Sequence, residues 1–196
     1  ILLSTAACLT GNDRQRMQAL PKTDGWKNEV VMQKQHRIGF DHAVGVAGGH
    51  IVEVGEVAGT TTDHIKAGLS DKTAAILHVA LEPSPTVALE EVANLAHRHG
   101  IPVIVDAAAE LPPVSNLSAF SEAGGDLVIF SGGKQVSGPN DSGILCGRGD
   151  LVEAARLQAF PNGGIGRPLK VGKEQIVGLV FALKRFAAVD WDGEVE

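Results

Sequence analysis

The run Ile101 to Asp106, IPVIVD, is apolar without alternation until an aspartate closes it. A strand with one face in water would alternate apolar and polar residues, so this run expects cover on both faces, as in a parallel sheet flanked by helices. A second run, Leu127 to Ser131, has the same character and leads straight into Gly132, Gly133 and Lys134. Between and around these runs the chain keeps a strand–helix rhythm. NEVVMQ and HIVEVG read as strands on either side of a helix-like IGFDHAVGVAGG, Ala75 to Ala80 centres another strand, and SGILCG reads as one more.

The helices carry their own punctuation. Pro85 stands near the start of one whose apolar residues Leu89, Val92, Ala93 and Ala96 recur at helical spacing, with Gly100 at its end. A shorter piece covers Leu117 to Ala123. Asp150 to Phe160 has Asp150 and Glu153 at capping-box spacing and Pro161 as its stop, and a last amphipathic helix covers Lys173 to Phe186. The expectation is an α/β domain over residues 1–196, three-layered, with a mostly parallel sheet and helices on both faces.

Composition narrows the partners. A formal net charge of −6 gives no general attraction to nucleic acid or to an anionic membrane, so an anionic ligand must be held locally. No apolar run reaches bilayer-spanning length. The two cysteines, Cys8 and Cys146, suggest neither a disulfide framework nor a cysteine-rich zinc site, which makes the cytoplasm the expected compartment. The seven histidines show no metal spacing, and His97 and His99 read as surface residues.

In such a sheet, ligands sit beyond the carboxyl ends of the strands. Asp106 ends one predicted strand and Lys134 follows the next, so both should face one edge. A carboxylate and an amine brought together this way suit pyridoxal phosphate: the lysine forms the imine, and the carboxylate favours a protonated, electron-withdrawing pyridine ring. Burial against apolar strands is expected to lower the lysine's pKa, and Ser131 is placed to hydrogen-bond the cofactor's phosphate. Singly, each residue has a plainer reading, a solvated lysine and a helix N-cap aspartate; the pairing favours the site. His36, after a strand end, either stacks on a cofactor ring or is a solvated loop histidine. There is no tyrosine to do the stacking.

Other phosphate motifs fail on the letters. Val128 stands where a Walker loop needs its first glycine and Gln135 where it needs Ser or Thr; Leu169 stands where a dinucleotide fingerprint around Gly164 and Gly166 needs its last glycine.

The segments DAAAELPP, FSGGKQVSGPNDSGILCGR and LQAFPNGGIGRPLKVGKE resemble fold-type-I pyridoxal-phosphate enzymes, in the branch that holds selenocysteine synthase and D-glucosaminate-6-phosphate ammonia-lyase. The resemblance implies Lys134 as the imine lysine, Asp106 as the pyridinium partner and Ser131 as a phosphate contact. It also implies Arg167 and Lys173 at the substrate or at a neighbouring subunit's cofactor, and hence a homodimer or higher oligomer. Arg37 is a further candidate for an anionic substrate group. Members of this family are longer, so the chain is expected to be most of a large domain, without the upstream phosphate turn and the small C-terminal domain. The activity implied is elimination of ammonia from a phosphorylated amino-sugar acid, with selenium transfer to seryl-tRNA or a cofactor-free remnant as alternatives.

Overall fold

The computed structural model describes residues 1–80 and 85–191. Helices α1 (Leu2–Thr10) and α2 (Arg14–Ala19) lead into strand β1 (Glu29–Gln33), two short 3-10 turns, α3 (His42–Val46) and β2 (His50–Val54). Then come α4 (Thr62–Gly68), β3 (Thr73–Val79), α5 (Leu89–Arg98), β4 (Val103–Asp106) and α6 (Asn116–Glu122). Strands β5 (Leu127–Ser131) and β6 (Gly143–Gly147) and helices α7 (Gly149–Gln158) and α8 (Lys173–Ala188) complete the order.

One six-stranded sheet runs β2-β1-β3-β4-β5-β6. All neighbours are parallel except β5 and β6. The apolar runs are explained by what covers them. In β3, Ile76 belongs to one buried cluster with Ile65 of α4, Val92 of α5 and Phe186 of α8, while Ala75, Leu77 and Val79 belong to a second with Ala7 of α1, Val44 of α3 and Leu151 of α7. Every residue of β3 and of β4 is buried, as unalternated apolar strands require. Full burial of a side chain such as Ile76 or Leu77 contributes about 1.5–3 kcal/mol.

The three-layer expectation holds, with local corrections. The segment read as one helix from Ile38 to Gly49 is mostly 3-10 turn and a single short α3, and the helix α4 was not legible at all. The capping box read at Asp150 and Glu153 does not form, because each takes an arginine instead: Arg148 engages Asp150 at 2.7 Å and Arg156 engages Glu153 at 2.6 Å. His97 and His99 are exposed, as expected, and His97 Nε2 lies 2.9 Å from Asp126 Oδ2.

Candidate active site

Strand order reverses between β1 and β3, the point where open parallel sheets form a crevice at their carboxyl ends. A cavity of about 310 Å³ lies beside this point, at the carboxyl ends of β3, β4 and β5. Its polar walls are Asp106 at the end of β4, Ser131 at the end of β5, Lys134 just beyond, and Glu110 on the loop after β4. Register explains the grouping: Asp106 sits opposite Ile129, and with a period of two Ser131 shares the face of Ile129. The apolar walls include Val79 and Ala80 at the end of β3, Ala108, and Phe40, which is exposed at the rim.

The two glycines before Lys134 are explained by crowding. A Cβ on Gly132 would lie 2.2 Å from Ser142 Oγ, and one on Gly133 would lie 2.6 Å from Asn140 Cα. The turn is closed by Gly132 N–H donating to Ser142 O and Gly138 N–H to Gly132 O. Lys134 is thus held on a tight loop whose backbone has no space for side chains at the two preceding positions. It is itself exposed, so the burial expected for its amine is not met within this chain.

Asp106 is only 8% exposed, and its Oδ1 accepts from the Ala108 N–H at 3.1 Å. Among the described residues no ion pair neutralises it. A buried carboxylate with one oxygen left over suits a protonated ring nitrogen, since burial without a cationic partner is costly. The donor set of amine, buried carboxylate and hydroxyl therefore fits pyridoxal phosphate.

His36 is neither solvated nor in the cavity wall. It is 1% exposed, its Nδ1 accepts from the Val79 N–H at 3.3 Å, and its ring meets His78 edge-on at 4.5 Å. Burial pushes its pKa down to about 4, and burial together with His36 pushes that of His78 to about 3. Three cationic candidates lie outside the cavity. Arg37 pairs with Asp41 at 2.6 Å and Glu53 at 2.8 Å, Arg167 stacks on the Phe160 ring at 4.6 Å, and Lys173 starts α8. Glu110 was missed by sequence reasoning, though it lies four positions beyond Asp106 inside the quoted DAAAELPP.

The model of the family described as aminotransferase class-V matches residues 47–167. The chain belongs to the aminotransferase class-V family. This is a family of pyridoxal-phosphate enzymes, and both the sheet order and the lysine-bearing loop lie within or beside the matched region. Among its relatives, a 5'-C-glycyluridine monooxygenase-decarboxylase from Streptomyces sp is 40% identical over 95% of this chain and 47% of its own length. A D-glucosaminate-6-phosphate ammonia lyase from Salmonella typhimurium is 35% identical over 95% of this chain and 50% of its own. A solved D-glucosaminate-6-phosphate ammonia-lyase superposes with a TM-score of 0.85 at 34% identity, covering 94% of this chain and 50% of that one. An L-seryl-tRNA(Sec) selenium transferase from Serratia proteamaculans is 32% identical over 92% of this chain and 42% of its own. The class-V chain thus spans about half the length of the curated relatives it matches.

Proposed function

We propose that this chain is the lysine-bearing part of a pyridoxal phosphate-dependent carbon–nitrogen lyase that releases ammonia from a phosphorylated amino-sugar acid. The observation that carries the reading is the meeting of Asp106, Ser131 and Lys134 in one cavity at the carboxyl ends of β4 and β5. The likeness to D-glucosaminate-6-phosphate ammonia-lyases, in sequence and in fold, supports the reaction class.

When bound, the cofactor supplies an electron sink that makes the substrate's α C–H bond acidic. Lys134 would hold its aldehyde carbon and, once displaced by the substrate amine, take the α-proton. Asp106 keeps a proton on the ring nitrogen. Ser131 would hydrogen-bond the phosphate, and His36 stiffens the wall by accepting the Val79 N–H. Arg167 and Lys173 are assigned to substrate anions or to a neighbouring subunit's site; Arg37 would first have to leave Asp41 or Glu53. A homo-oligomer is part of the reading, supported by the exposed apolar residues Ile176, Val177, Val180 and Phe181 along α8. Its place is the cytoplasm, in keeping with two free cysteines. Among the described residues no helix is long and apolar enough to cross a membrane.

A second reading rests on the 40% identity to the glycyluridine enzyme: oxidative decarboxylation of an amino acid joined to a nucleoside. Selenium transfer is less favoured, because the acidic charge balance offers no broad surface for tRNA.

Borohydride reduction after incubation with pyridoxal phosphate, followed by peptide mapping across the nine lysines, tests the site. Label concentrated on Lys134 is expected; label spread evenly would overturn it. Ammonia release from D-glucosaminate 6-phosphate, against oxygen uptake with a glycyl-nucleoside, then separates the two reactions.

A further inference from the structure

We propose that Glu110 is the acid that protonates the departing β-oxygen, an inference that rests on the lyase reading above. Hydroxide leaves carbon poorly unless a proton reaches it as the bond breaks. Among the described residues, four side chains in the cavity wall can carry such a proton: Asp106, Glu110, Ser131 and Lys134, of which the Ser131 hydroxyl is by far the weakest acid and is assigned to the phosphate. Asp106 is buried at the strand end and assigned to the ring nitrogen. Lys134 receives the α-proton. Glu110 remains, and it stands on the loop that follows Asp106.

The backbone holds Glu110 in place from both sides. Its N–H donates to Ala107 O at 3.1 Å, closing a turn directly after the strand. Its carbonyl accepts from Asn116 Nδ2 at 2.6 Å, and the next residue, Leu111, is buried in the core. The main chain is therefore anchored while the half-buried side chain reaches the cavity. Anchoring the main chain reduces the conformational freedom that the side chain must give up to act at one point in the cavity.

The step balances within these residues and the substrate. The electron pair of the α C–H bond becomes the second Cα–Cβ bond, and its proton passes to the Lys134 amine. The Cβ–O bond breaks, the oxygen keeps that pair, takes the Glu110 proton and leaves as water. Lys134 would re-form its bond to the cofactor's aldehyde carbon as the bond from that carbon to the substrate nitrogen breaks, its protons passing to the released amino-alkene; this tautomerises by gaining a proton at Cβ and losing one from nitrogen, and water hydrolyses the imino acid to a keto acid and ammonia. Solvent reprotonates Glu110.

The test compares wild type and Glu110→Gln, at full encoded length and loaded with pyridoxal phosphate, on D-glucosaminate 6-phosphate and its 3-chloro analogue. Chloride needs no proton to leave. Ammonia release from the hydroxy substrate should fall on the order of 10²-fold or more in the variant, the usual size of a general-acid contribution. Release from the chloro analogue should be nearly unchanged, and the absorbance of cofactor attached to Lys134 should match wild type. Glu110→Asp should recover part of the loss, and it provides the same two-substrate ratio if the glutamine variant does not load cofactor. Equal losses on both substrates, or no loss on the hydroxy substrate, would overturn the assignment. Wild type that releases ammonia from neither substrate would instead overturn the lyase reading and, with it, this role.

Discussion

The carboxamide of Gln33 grips the main chain of Val87 with both of its polar atoms. Nε2 donates to the Val87 carbonyl at 3.0 Å, and Oε1 accepts from the Val87 N–H at 2.7 Å. Gln33 is 2% exposed and ends β1, so this clasp fixes the approach to α5 against the end of β1.

Removing the clasp leaves a buried N–H and a buried C=O without partners, each costing about 1–3 kcal/mol. Gln33→Leu should therefore lower the urea midpoint clearly, with little change in slope. Gln33→Glu should also destabilise, since a carboxylate keeps the acceptor but loses the donor. An unchanged midpoint in both variants would contradict the assigned geometry.

The His36–His78 pair makes stability depend on pH in a definite direction. Both folded-state pKa values lie below the ordinary 6.5, at about 4 and about 3. The unfolded chain therefore binds more protons than the folded one between those values and 6.5. Stability is fully present above pH 6.5 and falls as the solution is acidified towards pH 4 and then 3, by at most about 1.4 kcal/mol per pH unit for each histidine. Between pH 6.5 and 5 most carboxylates remain ionised, so denaturant unfolding there isolates the histidines. His78→Phe should flatten the slope over that window; a slope equal to wild type would remove the pair as its cause.

How far the sequence revealed these features follows from their range. Asp106 and Lys134 were legible because each terminates an unalternated apolar run, and a run's end is a local signal. The contact of His36 with His78 was not, because it depends on β1 pairing with β3, which no local pattern encodes. The same holds for Gln33 and Val87. Asp150 was misread for a different reason: the capping-box spacing was present, but Arg148, one position before α7, forms a two-point ion pair with it. Glu110 carried no signal of its own, being a glutamate in a loop.

The crowding at Gly133 predicts that its substitution disables the site without dismantling the fold. A Cβ there meets the Cα of Asn140, a backbone atom that cannot swing aside. Gly133→Ala must shift the turn that carries Lys134, so labelling of Lys134 by pyridoxal phosphate and borohydride should drop sharply. Gly163→Ala, where nothing lies within 4 Å of the new Cβ, is the control and should label normally. Equal labelling in both would show that the turn tolerates displacement.

Asp106→Asn separates what the carboxylate does for folding from what it does for chemistry. The amide is nearly the same shape and its oxygen can still accept from the Ala108 N–H, so the local hydrogen bond survives. What is lost is a buried charge without an ion pair among the described residues, and such a charge opposes folding unless a cation meets it. Without cofactor, the variant should be at least as stable as wild type in thermal unfolding. With pyridoxal phosphate the order should reverse, because only the carboxylate gains from a protonated ring nitrogen. Turnover should fall on the order of 10²-fold or more, the scale seen when a preorganised charge is removed from an active site. A variant that is destabilised without cofactor and gains as much from cofactor as wild type would place the role of Asp106 in the fold, and the pyridinium assignment would be lost.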